Sequence, residues 1–391
     1  MISVEEALER ALALVSPLEA ETVALAEACG RFMCAPAVAR RDQPPFAASA
    51  MDGYALAGDP AAGDRFTLIG EAGAGHAFTG RVGPGEAVRI FTGAPLPAGA
   101  DRVVIQENVE AEGAAIRLTE ASDGRNIRPA GQDFRAGDSL SPRRLRPNDL
   151  ALLAAMNIAE VPVTRRPVVA LVATGDELVM PGETPRDDQI IASNSFTLKA
   201  LAEAEGAEVR LLPIARDTEA ELRTVLEMAA GADIVVTIGG ASVGDHDLVG
   251  KVAGEMGLEQ AFYKIAMRPG KPLIAGRLNG RPMLGLPGNP VSSIVCAHLF
   301  LLPMLRVMLG LPAAPAPHRR ARLAEPVPAN GPRAHYMRAK LAETDGLPQI
   351  AAFPRQDSAL LRELSEADAL LLRPPGDPAR ESGEMVRYIP L

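Results

Sequence analysis

Three glycine-rich loops, each behind an apolar run, hold most of the residues that could do chemistry: DIVVTIGGASVGDHD from Asp233, FYKIAMRPGKP from Phe262 and RPMLGLPGNPVS from Arg281. The first carries Asp245 and Asp247, the second Lys264, Arg268 and Lys271. Carboxylates give a divalent cation hard oxygen ligands, and lysine and arginine clamp oxyanions. Together they suit a phosphate-bearing ligand with a divalent metal. In the first loop Gly239, Gly240, Ser242 and Gly244 leave backbone amides accessible to an anion. No Gly-Lys-Ser/Thr ends it, so it is not a P-loop. In the third, Asn289 and Pro290 follow Pro287 and read as a helix start, where free amides and the helix dipole favour negative charge. A fourth loop, in LVATGDELV (171–179), puts Thr174, Gly175, Asp176 and Glu177 just past a buried strand; an N-cap and turn would use the same residues. His246 lies between two acids, but none of the five histidines has an HxxxH partner.

These loops need a scaffold that brings strand ends together. Residues 166–308 alternate strand and helix, from RPVVALVAT through SNSFTLKALAEAEG, AEVRLLPIA, DTEAELRTVLEMAAG (capped by Asp217) and DIVVTIGG to the long apolar PVSSIVCAHLFLLPMLRVML. Such alternation predicts a mostly parallel sheet covered on both faces, and its carboxyl edge is where α/β proteins bind ligands. Residues 3–15 read as an amphipathic helix with Ser3 as N-cap, and 22–29 as a second short helix. From about 40 to 140 short alternating runs and many Gly and Pro predict hairpins and bends. Helix returns at 147–158, with Pro147 at its start.

The expected architecture is therefore multidomain α/β plus β. Residues 1–40 and 140–165 form a discontinuous helical N-terminal region, 41–139 a β-rich insertion and 166–310 the α/β domain. A Pro/Ala stretch at 311–317 serves as linker, and 318–391 form a small C-terminal β domain. A chain of 391 residues supports two to four domains. The formal net charge is −9, from 49 acids against 40 bases, which argues against a general nucleic-acid or membrane surface. Three cysteines with no CxxC pair argue against a disulfide framework or zinc site and fit a reducing cytosol. No signal peptide and no membrane span are expected.

Two loops in the β-rich insertion, PPFAASAMDGYA (44–55) and RIFTGAPLP (89–97), read alone as turns bearing Asp52 and Thr92. Taken together, SAMDGYA, FTGAPLP, NIRPAGQDFRAGD, ATGDEL, GGASVGDHD, RPGKP and GLPGNPVS, in this order, resemble the molybdopterin molybdenumtransferase (molybdenum insertase) family, which includes MoeA and the E domain of gephyrin. The likeness covers essentially the whole chain. It implies a transferase of molybdenum cofactor biosynthesis that ligates molybdate to the dithiolene of adenylylated molybdopterin, with Mg2+ assisting release of AMP. It implies a cytoplasmic, elongated homodimer in which the β insertion of one subunit faces the α/β domain of the other. A separate molybdopterin adenylyltransferase would supply the substrate, and molybdoenzyme apoproteins or their chaperones would receive the product. By position, Asp52, Thr92, Asp133, Glu177, Lys264, Arg268 and Lys271 match catalytic residues, and Glu177, Asp217 and Asp247 suit the metal. Arg338 and Ser358 join Thr174, Gly175, Gly239, Gly240, Ser242, Gly244, Pro287, Asn289 and Pro290 as substrate-binding positions. Arg268 stands where the family has lysine, a planar fork for a point charge. The α/β segment alone also resembles the adenylylating enzyme of the same pathway. The insertion and the tail separate the two readings.

Overall fold

A computed structural model describes residues 1–121, 124–240 and 248–391. The chain forms two compact units, Met1–Glu21 with Thr164–Leu391, and Thr22–Val163.

The first unit is built on a six-stranded sheet. Its strands lie in the order Glu208–Leu211, Val168–Ala173, Ile234–Ile238, Arg281–Leu286, Ile274–Leu278, Leu258–Tyr263. The first four are parallel and the last two antiparallel, so the sheet is mixed. VVALVA and IVVTI are apolar on nearly every residue because both faces of these strands are covered. One face packs the apolar helix Pro290–Met308, 94% of which is buried. Burial inside the fold accounts for a hydrophobic run long enough to span a membrane. The other face packs helices Glu219–Met228 and Leu248–Glu255. Helix Asn194–Glu205 stops at Gly206, whose φ of 108° suits only glycine well.

Helix Val4–Leu12 begins as expected, with the Ser3 hydroxyl accepting from the Glu6 N–H at 3.0 Å. Its buried face, Val4, Ala7 and Ala11, joins the core of the α/β sheet. The expectation that residues 1–40 pack as a block with 140–165 therefore differs from the structure. Only the stretch after Glu21 shares a core with 140–163, through Met33, Ala37, Leu140, Leu145, Leu153 and Val161. Nor is 22–29 helical: it holds the end of strand Ala20–Ala24 and a single 3-10 turn, Leu25–Glu27. Helix Glu219–Met228 is capped by Thr218, which accepts from the Glu221 N–H, and not by Asp217. Thr218 has the extended backbone a cap needs, which frees the Asp217 side chain.

The tail closes into a small β barrel, Ala334–Ala342 pairing both Gln349–Ala352 and Ala369–Arg373. The short strand Met267–Arg268 adds to it in parallel, tying the tail to the α/β segment.

The second unit carries a six-stranded sheet: Arg102–Ile105, Gly53–Leu56, Glu86–Ile90, Arg65–Ala72, Ala115–Leu118, Val109–Glu112. Helix Pro147–Ala155 starts at proline, and the Asp149 carboxylate returns to the Arg146 N–H.

Candidate active site

The three neighbouring parallel strands Val168–Ala173, Ile234–Ile238 and Arg281–Leu286 end at one edge of the sheet, and a cleft of about 660 Å3 opens there. It is lined by Thr174, Gly175 and Glu177 from the first loop, Gly239 and Gly240 from the second, Pro287, Asn289 and Pro290 from the third, and Asp217 from the loop after Glu208–Leu211. The sequence-picked positions at this edge thus converge. Ser242, Gly244 and Asp247, with the rest of 241–247, lie outside the described residues.

Two glycines are required by geometry. Gly239 and Gly240 have φ of 92° and 66°. A Cβ on Gly240 would stand 2.3 Å from Val249 Cγ2 and 2.9 Å from Thr174 Oγ1, and one on Gly239 would stand 2.9 Å from the Thr174 carbonyl oxygen. The strand end therefore turns sharply against its neighbour, leaving open backbone at the cleft.

The acidic side of the cleft is braced. Arg216 Nη1 donates to the carbonyl oxygens of Gly175, Asp176 and Leu178 at 3.3, 3.2 and 2.9 Å. The Asp176 carboxylate accepts from the Asp217 N–H at 3.1 Å. These bonds tie the Glu177 loop to the Asp217 loop. The Glu177 carboxylate folds back over Gly175, where an added Cβ would meet its oxygen at 2.3 Å.

Helices Asn194–Glu205 and Pro290–Met308 both begin at the cleft, and the Asn194 side-chain amide donates to the Gly288 carbonyl at 2.8 Å between them. Ser193, Asn194 and Ser195, with Ile190 and Ile191, line this side and were missed in the sequence. SNS ahead of an amphipathic run reads as an ordinary cap. What brings it here is the parallel pairing of Ile190–Ile191 with Leu178–Val179.

The expected cations do not line the cleft. Lys264, Arg268 and Lys271 lie in one segment, 264–271, whose next residue, Pro272, does. Lys264 Nζ lies 4.9 Å from the Tyr263 ring centroid, and Arg268 Nη2 donates to Asn330 Oδ1 at 3.1 Å. Nor do Arg338 and Ser358 line it. Arg338 is 1% exposed, and its guanidinium donates to the carbonyls of Leu360 and Arg355 at 2.9 and 3.1 Å. The Ser358 carbonyl accepts from the Val291 N–H at 3.0 Å, in the first turn of the long helix. Both hold the segment that brings Ala359 and Leu361 to the cleft wall.

In the second unit, the Asp52 carboxylate accepts from both the N–H and the hydroxyl of Thr92. The Thr92 N–H chiefly, then its hydroxyl and the Arg89 charge, hold Asp52 below the ordinary aspartate range. Arg89 went unremarked in the sequence. Its guanidinium carbon lies 5.0 Å from the Tyr54 ring and 4.8 Å from the Phe91 ring, and it donates to the Gly53 carbonyl at 3.2 Å. Asp133 lines a separate cleft of about 590 Å3 with Gly93, Arg128 and Gln132.

Family models match the chain in three consecutive stretches: the MoeA N-terminal region (domains I and II) over residues 2–157, a probable molybdopterin binding domain over 170–307, and the MoeA C-terminal region (domain IV) over 320–391. A molybdopterin molybdenumtransferase of Nostoc sp. is 34% identical over 97% of this chain and 90% of that protein. The chain belongs to the molybdopterin molybdenumtransferase family. Another molybdopterin molybdenumtransferase, from Staphylococcus aureus, is 31% identical over 99% of this chain and 95% of its own. The molybdopterin biosynthesis MoeA protein from Pyrococcus horikoshii has a crystal structure that superposes with a TM-score of 0.85 at 30% identity, covering 100% of this chain and 99% of that one. The chain is thus an enzyme, a molybdenumtransferase, with the mixed-sheet, multidomain MoeA-like fold and a small C-terminal β barrel.

For a member of this family, the donor set at the cleft fits Mg2+. Glu177 and Asp217 are exposed carboxylates on two mutually braced loops that line the cleft, and Mg2+ binds through one or two carboxylates plus waters and phosphate oxygens. No group of three or more His, Cys, Asp or Glu side chains that could hold a metal occurs among the described residues.

Proposed function

We propose that the chain inserts molybdenum into molybdopterin, ligating molybdate to the dithiolene of adenylylated molybdopterin and releasing AMP. The observation that carries this reading is the cleft itself. Two carboxylates, a glycine-lined strand edge and two helix starts share one hollow of about 660 Å3, within the usual size of small-molecule sites. Glycine backbone at 239–240 lets a phosphate approach closely. Glu177 and Asp217 would hold Mg2+, together with Asp247. When bound, that ion supplies Lewis-acid charge neutralisation to the pyrophosphate.

Lys264, Arg268 and Lys271 lie outside the cleft lining, in the segment that leads into Pro272 at its wall, and from there would offset the charge of molybdate and of the pyrophosphate oxygens as the bond to AMP breaks. Arg268 keeps the charge of a lysine but presents it as a planar fork in place of a point charge, which suits clamping an oxyanion. No cysteine nucleophile is needed, because the sulfurs that hold molybdenum belong to the substrate. Arg338 and Ser358 shape the wall of the cleft from the tail, and Asp52, Thr92 and Asp133 serve the same reaction from the β insertion. The assembly is a cytoplasmic homodimer that receives substrate from a separate molybdopterin adenylyltransferase and passes the product to molybdoenzyme apoproteins or their chaperones.

Titration calorimetry with AMP and Mg2+ tests the nucleotide half of this reading. Wild-type protein binds AMP. Gly240→Val, which puts side-chain atoms where Val249 and Thr174 already stand, abolishes binding while the tail barrel stays folded. Unchanged binding in Gly240→Val removes the nucleotide from this cleft.

A further inference from the structure

We infer that Arg216 is a positioning residue that fixes the spacing of Glu177 and Asp217 on the acidic side of the cleft. The inference rests on the metal reading above and adds a residue to it. One guanidinium nitrogen of Arg216 reaches three carbonyl oxygens of the 175–178 loop, at 3.3, 3.2 and 2.9 Å. Those three carbonyls bracket Glu177, and the Glu177 carbonyl itself accepts from the Ile190 N–H at 2.7 Å. Arg216 is the immediate neighbour of Asp217, whose N–H donates to the Asp176 carboxylate at 3.1 Å. The two loops therefore exchange bonds in both directions, side chain of one to backbone of the other. Their strands begin this exchange: the Gly175 N–H donates to the Ala215 carbonyl at 3.1 Å and the Ala215 N–H to the Ala173 carbonyl at 2.9 Å.

The geometry has a charge logic too. Arg216 does not pair with Glu177 or Asp217 among the described contacts; its bonds go to carbonyls, so both carboxylates stay free for a cation. A cationic side chain beside two acids, committed to backbone and not to the acids, stiffens the site and leaves the carboxylate oxygens open to a ligand. Charge-assisted bonds of this kind are stronger than neutral ones, and a metal site loses affinity when its supporting bonds are removed. Arg216 touches neither substrate nor the reacting atoms in this account.

The test compares Arg216→Met and Arg216→Lys with wild type and with Glu177→Gln and Asp217→Asn. Amide hydrogen exchange of the metal-free protein reads the brace directly. Exchange across 175–178 and 215–217 rises roughly tenfold in Arg216→Met, exchange in the tail strand Ala334–Ala342 is unchanged, and Arg216→Lys restores part of the protection. Mn2+ binding followed by electron paramagnetic resonance weakens about tenfold or more in Arg216→Met. The Mg2+ concentration for half-maximal activity rises in parallel, with kcat at saturating Mg2+ within a few fold of wild type. Should Arg216→Met fail to fold, Arg216→Lys carries the same exchange and Mn2+ measurements. Wild-type exchange and Mn2+ affinity in the Arg216 variants, with weakened Mn2+ binding in Glu177→Gln and Asp217→Asn, overturn the positioning role and leave the metal reading standing. Wild-type Mn2+ affinity in Glu177→Gln and Asp217→Asn overturns the metal reading itself.

Discussion

The Asp52 carboxylate takes two hydrogen bonds from Thr92, from the backbone N–H at 2.7 Å and from the hydroxyl at 2.8 Å, both on the same oxygen. Two residues forty positions apart, each in a loop that reads alone as a turn, form one unit in the fold. The bonds favour the ionised carboxylate and hold its pKa down, with Arg89 adding to the effect.

Thr92→Val keeps the backbone donor and removes the hydroxyl. The folded pKa of Asp52 then rises toward its ordinary value, and the acid limb of the pH–kcat/KM profile moves to higher pH, with near-normal activity at pH 8. Asp52→Ala lowers kcat about 100-fold or more with little change in Tm, since the residue is exposed. An acid limb that does not move in Thr92→Val separates this carboxylate from the ionisation that limits the reaction.

Gly240→Ala forces a side chain into a φ of 66° and a Cβ to within 2.3 Å of Val249 Cγ2. Left-handed backbone costs about 1–2 kcal/mol for a non-glycine residue, and overpacking adds about 1–3 kcal/mol. Chemical denaturation should show a loss of about 2–5 kcal/mol from the sum of these two effects. A stability within 0.5 kcal/mol of wild type, the ordinary scatter of surface changes, would mean the strand end relaxes without cost.

His335 is 8% exposed. Burial first, and then the charges of Arg268, Arg373, Arg333 and Arg338, lower its pKa from 6.5 to about 3. The unfolded chain thus takes up a proton near pH 6.5, while the folded one resists it until about pH 3. Stability is full above the unfolded value and falls with pH through that window, at up to about 1.4 kcal/mol per pH unit from this group. His335→Gln should flatten the dependence of unfolding free energy on pH between 6.5 and 4. An unchanged slope in urea titrations across this range would place the acid sensitivity elsewhere.

The strands of the site were legible because each is a continuous apolar run ending in Gly or Pro, as VVALVATG and IVVTIGG are, and only a strand covered on both faces needs that pattern. The glycines at 239 and 240 were legible because few other residues meet the demand for positive φ and close approach. What the pattern left open was who meets whom. The amphipathic face of Val4–Leu12 declares that it is buried but not that its partner is the α/β core. The cations at 264, 268 and 271 declare charge, but their direction depends on partners such as Asn330, 62 residues from Arg268. Arg216 shows the same limit: its role lies in three carbonyls some 40 residues away, and carbonyls leave no trace in a sequence.

The most direct test of the proposed reaction is AMP release from purified adenylylated molybdopterin by the purified protein, with molybdate and Mg2+ each supplied or withheld. One AMP should appear per molybdopterin, only when both are present, and its release should be lost in Glu177→Gln and Asp217→Asn. AMP release that proceeds without molybdate, or pyrophosphate formed instead from ATP and molybdopterin, would contradict this reaction.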